Sequence, residues 1–176
     1  MLTLSVFQNF GGGTILAIVA AVAIAIYLRY LNKKYPDAPR TTAEPLTEER
    51  IRSLSDEELV KAVVAAILDK TDARKPDVYA LLPTLSHGQT AVYSVWLWCR
   101  ELEAAPLHTL LHSKSGRFCA TATDGFSLIG AAACEQALIA AVESPETEED
   151  LRSAIQEEQP LSLCAAYVRD NPAEFL

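Results

Sequence analysis

The sequence has no Cys-x-x-Cys pair, no Gly-x-Ser-x-Gly elbow, no glycine-rich phosphate loop and no dinucleotide fingerprint. Each absence removes a chemistry. Paired thiols suit zinc or redox work, the elbow presents a nucleophilic serine, and glycine-rich turns bring backbone amides against phosphates. Apolar and polar residues nowhere alternate with period two over a strand's length, and no segment repeats, so neither a sheet nor a solenoid has a sequence signal. Charge of either sign is missing from Met1 to Leu28. Basic charge is scarce after that.

From Thr41 onward, with Asp37 and the bases Arg29, Lys33, Lys34 and Arg40 set aside, 22 of the 23 acidic and 11 of the 15 basic side chains remain. A domain so negative is repelled by nucleic acid and by anionic headgroups, which makes a basic protein the natural electrostatic partner and direct nucleic-acid binding an unfavourable one. The four cysteines, Cys99, Cys119, Cys134 and Cys164, stand among apolar neighbours and are expected as reduced, small core residues. Disulfide pairing is the alternative if the topology derived below is wrong.

From Phe10 to Leu28 the chain is apolar apart from three glycines and Thr14. At 1.5 Å per residue such a helix crosses a hydrocarbon core of roughly 30 Å. Arg29 follows, where its long side chain can snorkel, and Tyr27, Tyr30 and Tyr35 suit an interfacial belt. A cleaved signal peptide would need a basic start and a small-residue cleavage site, and Arg29-Tyr-Leu-Asn-Lys-Lys34 occupies that place instead. The positive flank is C-terminal. The positive-inside rule therefore predicts a single-pass plasma-membrane protein with its N-terminus outside and its main domain in the reducing cytoplasm. Gly13, Ala17, Ala21 and Ala25 fall four apart, a stripe through which two spans could pair as a homodimer. The expected division is an anchor over 1–31, a Pro-rich linker over 32–46 and an acidic all-helical domain over 47–176.

Within that domain Ser55-Asp-Glu-Glu58 forms a capping box, and Leu59, Val63 and Ile67 with Val60, Val64 and Leu68 mark one buried helix face to about Lys70. A shorter helix is predicted from Pro76 through Leu82. The next begins at Ser86 or Gly88 and runs through Leu102, apolar around nearly its whole circumference and hence central. Pro106 opens a short helix to about His112, ended by Ser115-Gly116. Asp124 or Gly125 leads into a buried helix from Phe126 to Val142, whose Gly130 and alanine run allow close helix contacts. Ser144-Pro-Glu146 starts an acidic helix with Leu151 and Ile155 inward, and Pro160 starts the last, ending near Asn171-Pro172. The fold class is all-α, a compact bundle of about seven segments preceded by one transmembrane helix.

Between Tyr93 and Ala131 a set of residues follows a recognisable order. Tyr93 and Trp96 lie on an aromatic helix, Glu101-Leu102 follows, Leu107 stands where a phenylalanine is expected, Leu110-Leu111 replaces an aromatic pair, and Gly116 and Ile129-Gly130-Ala131 complete the series. This order resembles the core of the DNA mimic protein nineteen C-terminal-domain family, with no gap from Glu101 to Gly116. Glu103-Ala-Ala-Pro106 occupies that family's Asn-Asn-Gly-Gly positions, and Thr109 and Ser113 stand at its glutamine and asparagine. The resemblance implies a shared helical frame. For the namesake it also implies a dimeric acidic protein whose carboxylates imitate DNA phosphates and occupy a DNA-binding protein.

Two clusters are candidate sites. Glu146, Glu148, Glu149, Asp150, Glu157 and Glu158, with only Arg152 among them, concentrate the negative charge and suit docking of a basic or DNA-binding protein. The same acids would equally serve as the solvated face of a helix, favourably placed near its N-terminus. Glu101, His108 and His112 form the other cluster and the alternative reading, an enzyme or metal-binding domain, since two histidines four apart share a helix face. The expectation is a membrane-anchored, non-enzymatic interaction domain that needs no cofactor or metal.

Overall fold

A computed structural model describes residues 44–71 and 77–176 of the chain. The expected anchor, its Gly13, Ala17, Ala21 and Ala25 stripe and the linker as far as Ala43 lie outside the described residues. Among the described residues no helix is long and apolar enough to cross a membrane.

The described chain is all-helical, with eight α-helices and several 3-10 turns. Helix α1, Glu48–Ser53, is capped by the Thr47 hydroxyl, which accepts the Arg50 amide at 3.2 Å. Ser55 and Glu58 form the expected reciprocal box at the start of α2, Asp56–Asp69, which buries Leu59, Val60, Val63, Val64 and Ile67. The predicted shorter helix through Leu82 is a 3-10 helix, Val78–Thr84, capped by Asp77, with Pro83 inside it. Ser86 and Gln89 then form a second capping box for α3, His87–Ala104, the longest helix of the domain. The short α4, Leu107–Leu111, follows Pro106.

A further 3-10 turn, Ser115–Phe118, runs straight into α5, Cys119–Leu128, and α6 spans Ala132–Glu143. Here the structure corrects the predicted single helix over Phe126 to Val142. The chain breaks at Gly130, whose φ of +80° is left-handed. The Ala131 amide reaches back to the Phe126 carbonyl at 2.8 Å and the Gly130 amide to Ser127 at 3.1 Å, the paired bonds of a Schellman ending. A β-carbon at Gly130 would meet nothing within 4 Å, so this glycine serves backbone direction and not close packing. Close packing falls to Gly125, where a β-carbon would lie 3.0 Å from the Ala91 carbonyl and 3.0 Å from Val95, and lets α5 settle on α3.

A 3-10 turn, Pro145–Thr147, leads to α7, Glu148–Glu158; α8 covers Pro160–Asp170 and a last turn Pro172–Glu174. Helix α3 packs against α2, α5 and α8 and lies at the centre, as its apolar circumference predicts. Trp98 on α3 itself, Phe126 on α5, and Leu138 and Leu151 on the next two helices are fully buried in one core. Ser94, the one buried polar side chain among the described residues, donates to Thr121 at 2.9 Å, and Thr121 donates to the Phe118 carbonyl at 3.0 Å, so the hydroxyl chain between α3 and α5 is satisfied.

Candidate functional site

The acids read as one surface divide into two sets with different work. Helix α6 begins at Ala131, which has no capping side chain of its own. Glu158, at the far end of α7, supplies the missing acceptor by taking the amides of Ala133 at 3.0 Å and Cys134 at 2.9 Å. Helix α4 begins at Pro106, also without a side-chain cap, and Glu148 accepts the Leu107 amide at 2.9 Å. The two ends of α7 thus cap two other helices. Orphan amides at a helix start carry partial positive charge, so a carboxylate is the favoured acceptor there. Burial alone would push the Glu158 carboxyl up; the Cys134 and Ala133 amides outweigh it and hold the group below the ordinary value. Glu148 is likewise held low, first by the Arg152 guanidinium and then by the Leu107 amide.

Arg152 completes this joint. It pairs with Glu148 at 2.6 Å and donates to the carbonyls of Leu102 at 2.6 Å and Ala105 at 3.3 Å, the last turn of α3. Glu174 repeats the device at the start of α3. Its carboxylate accepts the Gly88 amide at 2.6 Å and the Tyr167 hydroxyl at 2.8 Å. A β-carbon on Gly88 would lie 2.7 Å from that carboxylate, so the glycine leaves room for the docked tail. Burial, then the hydrogen bond to Glu174 and its charge, push the Tyr167 phenol up to about 12. No spacing rule pointed to Glu174, because it acts on a residue 86 positions away.

The second set is exposed. Glu146 accepts from Ser144 at 2.8 Å and fixes its own turn. Glu149, Asp150 and Glu157 are exposed on α7 and enter no ion pair among the described residues.

The alternative cluster does not assemble. His108 and His112 are exposed, the His108 ring lying 3.2 Å from the neighbouring Thr109 hydroxyl, and Glu101 is half-buried on α3. Among the described residues no group of three His, Cys, Asp or Glu side chains is placed to hold a metal ion. Glu101 enters no ion pair among the described residues; Arg117 joins Asp77 at 3.0 Å, and Arg100 lies over the Trp96 ring at 5.2 Å. Burial, then the charges of Glu101 and Asp77, push the Tyr93 phenol up to about 12.

The family-pattern residues belong to the frame. Leu107 is fully buried, Trp96 half-buried, and Gly116 sits where a β-carbon would collide with the Leu111 carbonyl. The cysteines are free. Cys99, Cys134 and Cys164 are buried and Cys119 half-buried, and burial pushes all four thiols up, Cys164 to about 12.

No family model, curated protein or solved structure matches this chain.

Proposed function

We propose that the chain is a membrane-anchored, non-enzymatic interaction protein whose exposed carboxylates on and beside α7 dock a basic protein partner at the cytoplasmic face. One observation carries this reading. After Arg117 the chain holds only two basic side chains, Arg152 and Arg169, and both are committed internally, to Glu148 and to Asp56. Glu149, Asp150 and Glu157 are left exposed and enter no ion pair among the described residues, and such a field steers a basic partner toward α7.

The working surface is therefore Glu146, Glu149, Asp150 and Glu157, with Glu148 and Glu158 removed to the scaffold. A DNA-binding protein fits as one kind of basic partner, in keeping with the family resemblance, whose shared residues are frame positions. The anchor confines any such partner to one that visits the membrane.

Crosslinking of the full-length protein in intact membranes tests the proposal. The triple variant Glu149→Lys, Asp150→Lys, Glu157→Lys is expected to lose the basic proteins that the parent captures, while His108→Ala with His112→Ala retains them. An identical captured set from the triple variant would sink the reading. Protease added outside sealed cells is expected to spare the C-terminus.

A further inference from the structure

Between α2, the start of α3 and the C-terminal tail lies an open cavity of about 240 Å³. Val63, Ala66 and Ile67, three and four positions apart on α2, turn one apolar face to it, and Leu46 and Phe175 contribute apolar wall. The Phe175 wall is held in place by its neighbour. The Glu174 carboxylate takes the Gly88 amide at 2.6 Å and the Tyr167 hydroxyl at 2.8 Å, and the Ser86 hydroxyl donates to the Glu174 carbonyl at 3.0 Å.

Two polar side chains complete the lining, and both offer donors. Lys70, at the C-terminal end of α2, is exposed and enters no ion pair among the described residues, whereas Lys61 on the same helix pairs with Glu57 at 2.7 Å. The Lys70 ammonium meets only the neutral Gln89 Oε1, at 3.4 Å, and keeps further donors to give. Gln89 Oε1 also accepts the Ser86 amide at 3.4 Å, so the amide oxygen faces the protein and its Nε2 has no hydrogen-bond partner among the described residues. An apolar cavity with a few convergent polar groups has the composition of a small-molecule site. Here the convergent groups are a cation and an N–H donor, which together fit the two oxygens of one carboxylate.

We propose that this cavity binds a medium-chain aliphatic monocarboxylate, with its chain against Val63, Ala66 and Ile67 and its oxygens at Lys70 Nζ and Gln89 Nε2. Volume sets the length of the chain. An apolar cavity of about 150 Å³ holds a benzene ring, so the space here takes a chain of about eight carbons. Charge sets the head group. Lys70 repels a cation, and the net charge of −8 disfavours a multiply charged phosphate head more than a single carboxylate. The site is a small-molecule function separate from the acidic face on α7.

The test titrates octanoate into the full chain in neutral-lipid nanodiscs by calorimetry at neutral pH, with empty nanodiscs as the blank. Saturable binding of one octanoate per chain is expected. Hexanoate, with two fewer buried methylenes, is expected to bind about tenfold more weakly. Decanoate is expected to bind no more tightly than octanoate, because its last carbons stay outside the cavity, whereas partition into lipid strengthens with every carbon added. Octylamine is expected not to bind. Lys70→Gln is expected to weaken octanoate about tenfold, and Ala66→Phe, which fills the floor, to abolish binding; far-UV circular dichroism matching the parent confirms that both variants are folded. No saturable heat above the blank, equal affinity of the parent and Lys70→Gln, or affinity that keeps rising through decanoate would each overturn the proposal.

Discussion

Glu158, the last residue of α7, accepts the amide of Cys134 in the first turn of α6 at 2.9 Å, across 24 positions of sequence. With the Ala133 amide also on this carboxylate, one side chain satisfies both donors that a local cap would have taken. Replacing Glu158 by alanine is expected to cost about 0.5–2 kcal/mol, the range for loss of a helix cap. Urea unfolding of the full chain followed by far-UV circular dichroism measures it. A variant as stable as the parent would show that water serves these amides equally well.

Glu148, Glu158 and Glu174 all titrate below the ordinary carboxyl value of 4.5. For groups depressed in the fold, the unfolded chain takes up protons first as pH falls, so their stabilisation is full above about 4.5 and disappears as pH drops through the depressed values. The urea midpoint is expected to hold from about pH 7 to about pH 5 and to fall below that. In the triple glutamine variant the midpoint starts lower and falls less. Equal slopes in parent and variant between about pH 5 and about pH 3 would refute the assignment.

The split between local and distant partners explains what could be read from the sequence. Ser55 and Glu58 sit three positions apart, so their box and the start of α2 were legible in the letters, as was the central place of the apolar α3. Helix α1 buries only Ile51 in its six residues and offers no periodicity to find. The start of α5 was missed because Cys119 to Asp124 contains no large aliphatic side chain and two β-branched threonines. The acids of α7 were visible as charge, but which of them turn inward depends on bare helix starts 24 to 41 positions away. Whether a glycine serves packing or direction is likewise decided by its surroundings and not by its identity.

Gly116 and Gly130 separate those two duties by experiment. At Gly130 only the left-handed φ of +80° penalises a side chain, since the space is open, and alanine is expected to lose about 1–2 kcal/mol. Asparagine, which tolerates that conformation, is expected to recover part of the loss. At Gly116 the obstacle is the Leu111 backbone, which cannot rotate aside as a side chain could. Alanine there is expected to cost more than at Gly130, and asparagine to be worse than alanine. Urea midpoints of the four variants check the ordering; rescue by asparagine at Gly116 would contradict it.

Trp98 is fully buried in the core, and its indole Nε1 has no hydrogen-bond partner among the described residues. Two opposing effects meet in this side chain. Its ring fills core volume, so that alanine is expected to cost about 3–5 kcal/mol. Its unanswered N–H carries a desolvation penalty of about 1–3 kcal/mol, which phenylalanine would remove while keeping an aromatic ring in place. Phenylalanine gives up only part of the ring volume, a loss comparable to that penalty, so Trp98→Phe is expected to unfold within about 1 kcal/mol of the parent. Had the indole a real acceptor in the core, phenylalanine would forfeit that bond as well as volume, and its measured loss would exceed about 2 kcal/mol.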